Sequence, residues 1–121
     1  MPTSPVDARV LAWSNLPTDT PMPKITRQRV IGAHVMISRV RLLKGFDLPS
    51  HAHFNEQMVC VMSGRAEFVL HEGTPKERRV TVGAGELLHL PPDVPHSCTA
   101  LEDTEIWDVF SPPSEKTGVD R

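Results

Sequence analysis

The chain has 121 residues, a net charge of −2 and acidic and basic residues interspersed along its length, which suits one core and is too short for two. No basic tract marks a nucleic-acid footprint, and the apolar runs are of strand length, far below the roughly 20 residues that span a bilayer. Two cysteines cannot build a disulfide framework, and the first residues lack the basic start and apolar stretch of a signal peptide, so a cytoplasmic protein with reduced thiols and no nucleic-acid or membrane partner is expected.

Residues 1–23 are punctuated by Pro, Thr and Ser around an apolar patch at Val10, Leu11 and Trp13, which reads as a short N-terminal arm ahead of a body at 24–113. From Arg29 to Leu43 runs one long β-rich stretch with Ile31, Ala33, Val35, Ile37, Arg39 and Arg41 on its odd face and Val30, His34, Met36, Ser38, Val40 and Leu42 on its even face. Period two with β-branched residues on both faces predicts a strand, and His34 on the even face is a candidate lining residue as well as a plain strand histidine. Gly45 closes that stretch. Further strands follow at 57–62, 65–71, 80–82, 86–90, 97–101 and 104–110, separated by Ser63-Gly64, by Glu72 to Pro75, by Gly83 and Gly85, and by Pro91-Pro92. Twelve prolines and seven glycines must fall at turns and tails, and strands recurring every 8–12 residues predict an all-β sandwich or closed barrel. Residues 114–121 read as a flexible C-terminal tail.

The chemistry concentrates in four side chains. His51 and His53 stand two apart, so in extended backbone both imidazoles address one point. Gln57 lies an even step further on, leaving Glu56 pointing away, and His96 follows the rigid Pro91-to-Pro95 turn, from which another strand can return a fourth ligand. Three imidazoles and an amide oxygen suit one divalent transition metal, Zn, Ni, Fe, Mn or Cu, with no thiolate in the set. On the last strand Ile106, Asp108 and Phe110 share one face. Asp108 there is either an edge-strand acid facing water or a half-buried carboxyl available for acid–base work.

These motifs resemble the cupin superfamily. The first cupin motif, Gly, five residues, His-x-His, three or four residues, Glu, six residues, Gly, is met by Gly45, His51, His53, Gln57 and Gly64, with Gln in place of Glu. The second is met by Gly85, Pro91, Asp93 and His96, with Asp93 in place of Gly and Ala100 in place of Asn. The resemblance implies a double-stranded β-helix, the jelly-roll barrel, holding one metal through His51, His53, Gln57 and His96.

Over roughly residues 28–113 the chain is also similar to small cupins of pectin breakdown, which open unsaturated uronates into linear keto-deoxy sugars. That similarity implies Asp108 as the catalytic acid–base and Phe110 against the substrate, while His34 is a substrate-binding candidate from its strand face alone. It also implies a small-molecule substrate and a homodimer, for which Met58, Cys60 and Met62 offer an apolar face. Where that subgroup carries an Arg after its Phe-Ser-Pro-Pro run this chain has Ser114, so Arg39, Arg41 or Arg65 would have to stand in. A binding cupin without turnover and an iron or copper dioxygenase are the alternative functions.

Overall fold

A computed structural model describes residues 7–113 of the chain; the expected tail at 114–121, with Ser114, lies outside the described residues. Nine strands occur among them: β1 (Ile25–Ile31), β2 (Met36–Leu42), β3 (Asp47–His51), β4 (Glu56–Ser63), β5 (Arg65–Leu70), β6 (Arg78–Gly83), β7 (Leu87–Leu90), β8 (His96–Ala100) and β9 (Thr104–Ser111). They form two antiparallel sheets, β1-β2-β9-β4-β7 and β3-β8-β5-β6. The fold is the jelly-roll expected from sequence. Among the described residues no helix is long and apolar enough to cross a membrane.

Alternation decides which faces meet. One sheet turns Val40, Leu42, Val59, Val61 and Ile106 inward; the other turns Leu48, Ala66, Phe68, Leu70, Val82, Cys98 and Ala100 against them, and together they make the core. The outer face of the larger sheet carries Met58 and Cys60, both half-buried, and the exposed Met62 and Leu87. The N-terminal segment packs on it. A single 3₁₀ turn at Trp13–Asn15 sets Trp13 against Trp107, centroids 5.6 Å apart. Gln28 Nε2 donates to Trp13 O at 2.6 Å and Leu16 O at 3.1 Å.

Two local expectations change. The continuous stretch over 29–43 is a hairpin: β1 and β2 pair from Ile25↔Leu42 to Ile31↔Met36, with Gly32 N–H bonded to Val35 O at 2.8 Å. Apolar flanks hide this turn, because Val30, Ile31, Val35 and Ile37 read as unbroken strand. The second is β3, around Pro49, which the sequence reading treats only as extended chain. It is an edge strand, where one side of the backbone needs no partner and proline is tolerated.

Gly64, between β4 and β5, adopts φ +83° and has Asp103 O and Thr104 Oγ1 packed against it. A methyl there would also meet Thr104 Cα at 2.8 Å, in a backbone region that L-residues adopt at a cost. Gly64→Ala is therefore expected to destabilise the protein by about 2 kcal/mol or more, read from urea melts.

Candidate metal centre

The two sheets bring three imidazoles from distant parts of the chain together. His51 ends β3 and lies opposite His96 at the start of β8, across a register shift between Leu48 and His51. His53 follows two residues past the strand end, tied down where Asp93 N–H bonds to His53 O at 2.9 Å. The ring centroids are 4.3 Å apart for His51–His96, 5.2 Å for His53–His96 and 5.7 Å for His51–His53. One ligand atom from each lies within 4.8 Å of the others.

Backbone carbonyls fix the tautomers. Nδ1 of His51 faces Pro49 O at 3.0 Å, Nδ1 of His53 faces Asn55 O at 3.0 Å, and Nδ1 of His96 faces Val94 O at 2.9 Å. A carbonyl oxygen only accepts, so each Nδ1 carries the proton and each Nε2 keeps its lone pair. This is how metal-ligating histidines are oriented by their surroundings. Burial pushes His96 from 6.5 down to about 4, with the Val94 hydrogen bond opposing and the neighbouring His51 and His53 adding to the depression. It is therefore neutral and available as a ligand at pH 7.

Gln57, on the inner face of β4, lines the same cavity as His51 and His96. Its Nε2 donates to Asp108 Oδ1 at 3.0 Å, while Oε1 is buried without a hydrogen-bond partner, as is His53 Nε2. Two buried acceptors without donors are costly in a folded protein. Both belong to side chains whose ligand atoms a divalent cation would satisfy. The donor set fits a metal: three imidazoles and one amide oxygen. The cavity has a volume of about 60 Å³, room for several waters or the reacting end of a small molecule.

Asp108 also lines the cavity, on β9 directly opposite Val59 of β4 and Ser38 of β2. Of the two readings left open by the sequence, the structure gives the interior one. Burial pushes its carboxyl from 3.8 up to about 7, the Gln57 hydrogen bond pulling the other way. Phe110 is buried at the same end, its ring 5.9 Å from that of His53.

His34 does not join them. It is exposed in the β1–β2 turn and absent from the cavity lining, because the chain reverses at Gly32 instead of continuing as a strand. The stand-in arginines also face elsewhere: Arg39 and Arg41 pair with Glu105 at 3.3 and 3.2 Å, and Arg65 with Glu102 at 3.0 Å. Glu56 points away as expected, bonded to His89 at 2.6 Å.

Three interior residues escape the sequence reading. Arg27 and Ser38 line the cavity, and buried Asn55 anchors the loop after His53 through Nδ2 to Pro112 O at 2.6 Å. Asn55 sits inside the spacer between ligands, the one signal that could have marked it. At Asp93, where the second motif has Gly, φ is +66°. Aspartate is among the few L-residues that enter this region readily, so the turn delivering His96 keeps its shape.

The sequence matches the family described as Cupin domain over residues 38–110. No curated protein matches it in sequence. Among solved structures, an RmlC-like cupin from Shewanella frigidimarina NCIMB 400 superposes with a TM-score of 0.80 at 20% identity, over 91% of this chain and 96% of that one. KdgF from Halomonas sp. gives 0.77 at 25% identity, over 91% and 98%. An oxalate decarboxylase variant from Bacillus subtilis gives 0.80 at 19% identity, this chain matching 33% of its length.

Proposed function

Because the chain belongs to the Cupin domain family, we propose that it is a metal-dependent enzyme acting on a small carboxylated molecule, opening the ring of an unsaturated uronate or transforming a related acid. The observation that carries this reading is the Asp108 carboxyl, pushed up to about 7 and held by Gln57 beside three convergent imidazoles. A group titrating near 7 both takes and returns a proton at neutral pH, as acid–base catalysis requires.

His51, His53, Gln57 and His96 would hold the ion. With neutral ligands, a bound divalent cation keeps its charge and acts as a Lewis acid towards a substrate oxygen. The protein's own residues do the rest. The three Nδ1–H bonds to carbonyls lock the imidazoles in place. Gln57 joins the two halves of the site, because its amide N–H fixes Asp108 while its oxygen serves the metal. Asp108 then moves a proton to or from the substrate at its carboxyl, and Phe110 packs against the ligand's apolar side and keeps water out. The likeness to KdgF from Halomonas sp. and the sequence similarity to the pectin-breakdown cupins support a uronate as the first candidate. Pairing of two chains through the outer face around Met58, Cys60 and Met62 belongs to this reading, checked by the mass of the metal-loaded protein in solution.

The test is an assay of metal-loaded protein on unsaturated galacturonate, followed by loss of the substrate's ultraviolet absorbance, with dissolved oxygen monitored in parallel. The expected result is ring opening without oxygen uptake. Full metal occupancy with no turnover would overturn the uronate assignment, and oxygen consumption would replace it with a dioxygenase.

A further inference from the structure

Of the proposed ligands, His51 ends β3, Gln57 lies in β4 and His96 opens β8, so each is placed by a strand. His53 is the exception, in the connection between β3 and β4. A side chain on a loop has no ladder of backbone hydrogen bonds to fix it, so the contacts around it must do so.

Those contacts lead to the end of β9. The His53 carbonyl accepts from Asp93 N–H at 2.9 Å. Its ring stands edge-on to Phe110 of β9, with centroids 5.9 Å apart, and its Nδ1 faces Asn55 O at 3.0 Å. Asn55 is 2% exposed, and its Nδ2 donates to Pro112 O at 2.6 Å, one residue past the end of β9. The register explains this bond. β4 and β9 pair from Glu56↔Ser111 inward, so the next antiparallel position outward sets Asn55 beside Pro112. The side-chain amide extends the ladder by one step there. It fixes the loop against the strand that carries Asp108 and Phe110, and a buried amide with a good acceptor is a rigid tie.

We propose that Asn55 is a positioning residue for His53. Its side chain pins the loop to the end of β9, its carbonyl selects the Nδ1–H tautomer, and together they aim Nε2 at the point where His51 and His96 converge. The inference rests on the metal-dependent reading above only for the identity of what Nε2 meets. Affinity for the ion then depends on a residue whose side chain does not touch it. A ring released from the Asn55 carbonyl is free to carry its proton on Nε2, the atom that must be bare to bind a metal.

The test combines zinc affinity, measured by competition with a chromophoric chelator, with proton–nitrogen correlation spectra of the imidazoles in the metal-free protein. Asn55→Ala removes the donor, and Asn55→Leu removes it at similar bulk. Both are expected to weaken zinc about 10–100-fold, as loss of a ligand's supporting contact does. In both, His53 alone should lose its Nδ1–H signature, while His51 and His96, held by Pro49 O and Val94 O, keep theirs. Gly64→Ala, whose strain lies against Asp103 and Thr104, is the control: it should melt earlier with native zinc affinity and a native His53 spectrum. The same pattern in the Asn55 variants would make Asn55 purely structural and overturn the proposal. Weaker zinc binding with all three rings unchanged would overturn it as well. If the native protein takes up no zinc, or His96→Gln binds it as tightly, the metal reading fails instead. The His53 spectrum of Asn55→Ala then decides the positioning by itself.

Discussion

Asp108→Asn is expected to reduce turnover by about 10²–10⁴-fold with metal content unchanged, the range by which a positioned acid–base contributes. Asparagine keeps an Oδ1 to accept the Gln57 amide hydrogen now received at 3.0 Å, so Gln57 still presents its oxygen to the ligand cluster. What is lost is the proton. The same variant has a second, opposite signature in the metal-free protein. The folded-state value of Asp108 is about 7 against 3.8 for the ordinary carboxyl. Between those values the folded protein therefore holds a proton that the unfolded chain has released. A group raised in this way contributes its stability below 3.8 and loses it as pH rises through 7. Above that, native protein buries a charge that asparagine does not. Asp108→Asn should therefore be more stable than the native protein at pH 8, on the order of 2–4 kcal/mol, with the advantage shrinking towards pH 4. Urea melts at the two pH values read it directly. Equal stability at both, together with normal turnover, would mean Asp108 carries no proton of consequence.

The second large effect falls on His96. Replacing a ligand outright should exceed the 10–100-fold losses typical when only its supporting contacts are removed, so His96→Gln is expected to lose divalent-metal affinity by at least about 100-fold. The native protein gains stability from saturating metal by mass action, about 2.7 kcal/mol at 100 times Kd. The variant should show no such gain at the same concentration. Acid should imitate the mutation. His96 takes a proton only as pH falls through about 4, so native metal binding should hold at pH 7 and fail below that value. A thermal shift with zinc or manganese, run at pH 7 on the native protein and on His96→Gln, distinguishes this from a metal held by surface carboxylates, whose shift the substitution would leave intact.

Much of the site was legible in sequence because its geometry is local. His51 and His53 share a face by period two, Gln57 and His96 sit at motif spacings, and both motifs are closed by glycines or prolines whose backbone roles are strict. Gly64, packed against Asp103 and Thr104, is one such position. What the sequence hid depends on contacts between distant segments. The stretch from Arg29 to Leu43 alternates so well that the reversal at Gly32 is invisible within it, and His34 was carried to the wrong place. Arg27 lies in the polar run Thr26-Arg27-Gln28-Arg29, which looks like a solvated face. Only the pairing of β1 with β2 turns Ile25, Arg27 and Arg29 to the same side as Val40 and Ser38. The three arginines that the sequence reading considered face outward by alternation: β2 gives one face to Ser38 and the other to Arg39 and Arg41, and β5 sets Arg65 opposite the buried Ala66.

The proposed centre is a single metal held by three imidazoles and an amide oxygen inside the barrel. Cys98 lines the same cavity, its thiol pushed up to about 12 by burial, and it is not among the residues whose ligand atoms converge. X-ray absorption on protein loaded with one equivalent of zinc tests this most directly. The predicted spectrum has only nitrogen and oxygen neighbours, at about 2.0–2.2 Å, with outer-ring scattering from three imidazoles. A sulfur shell near about 2.3 Å, fewer than three imidazoles, or failure to retain one zinc per chain would contradict it.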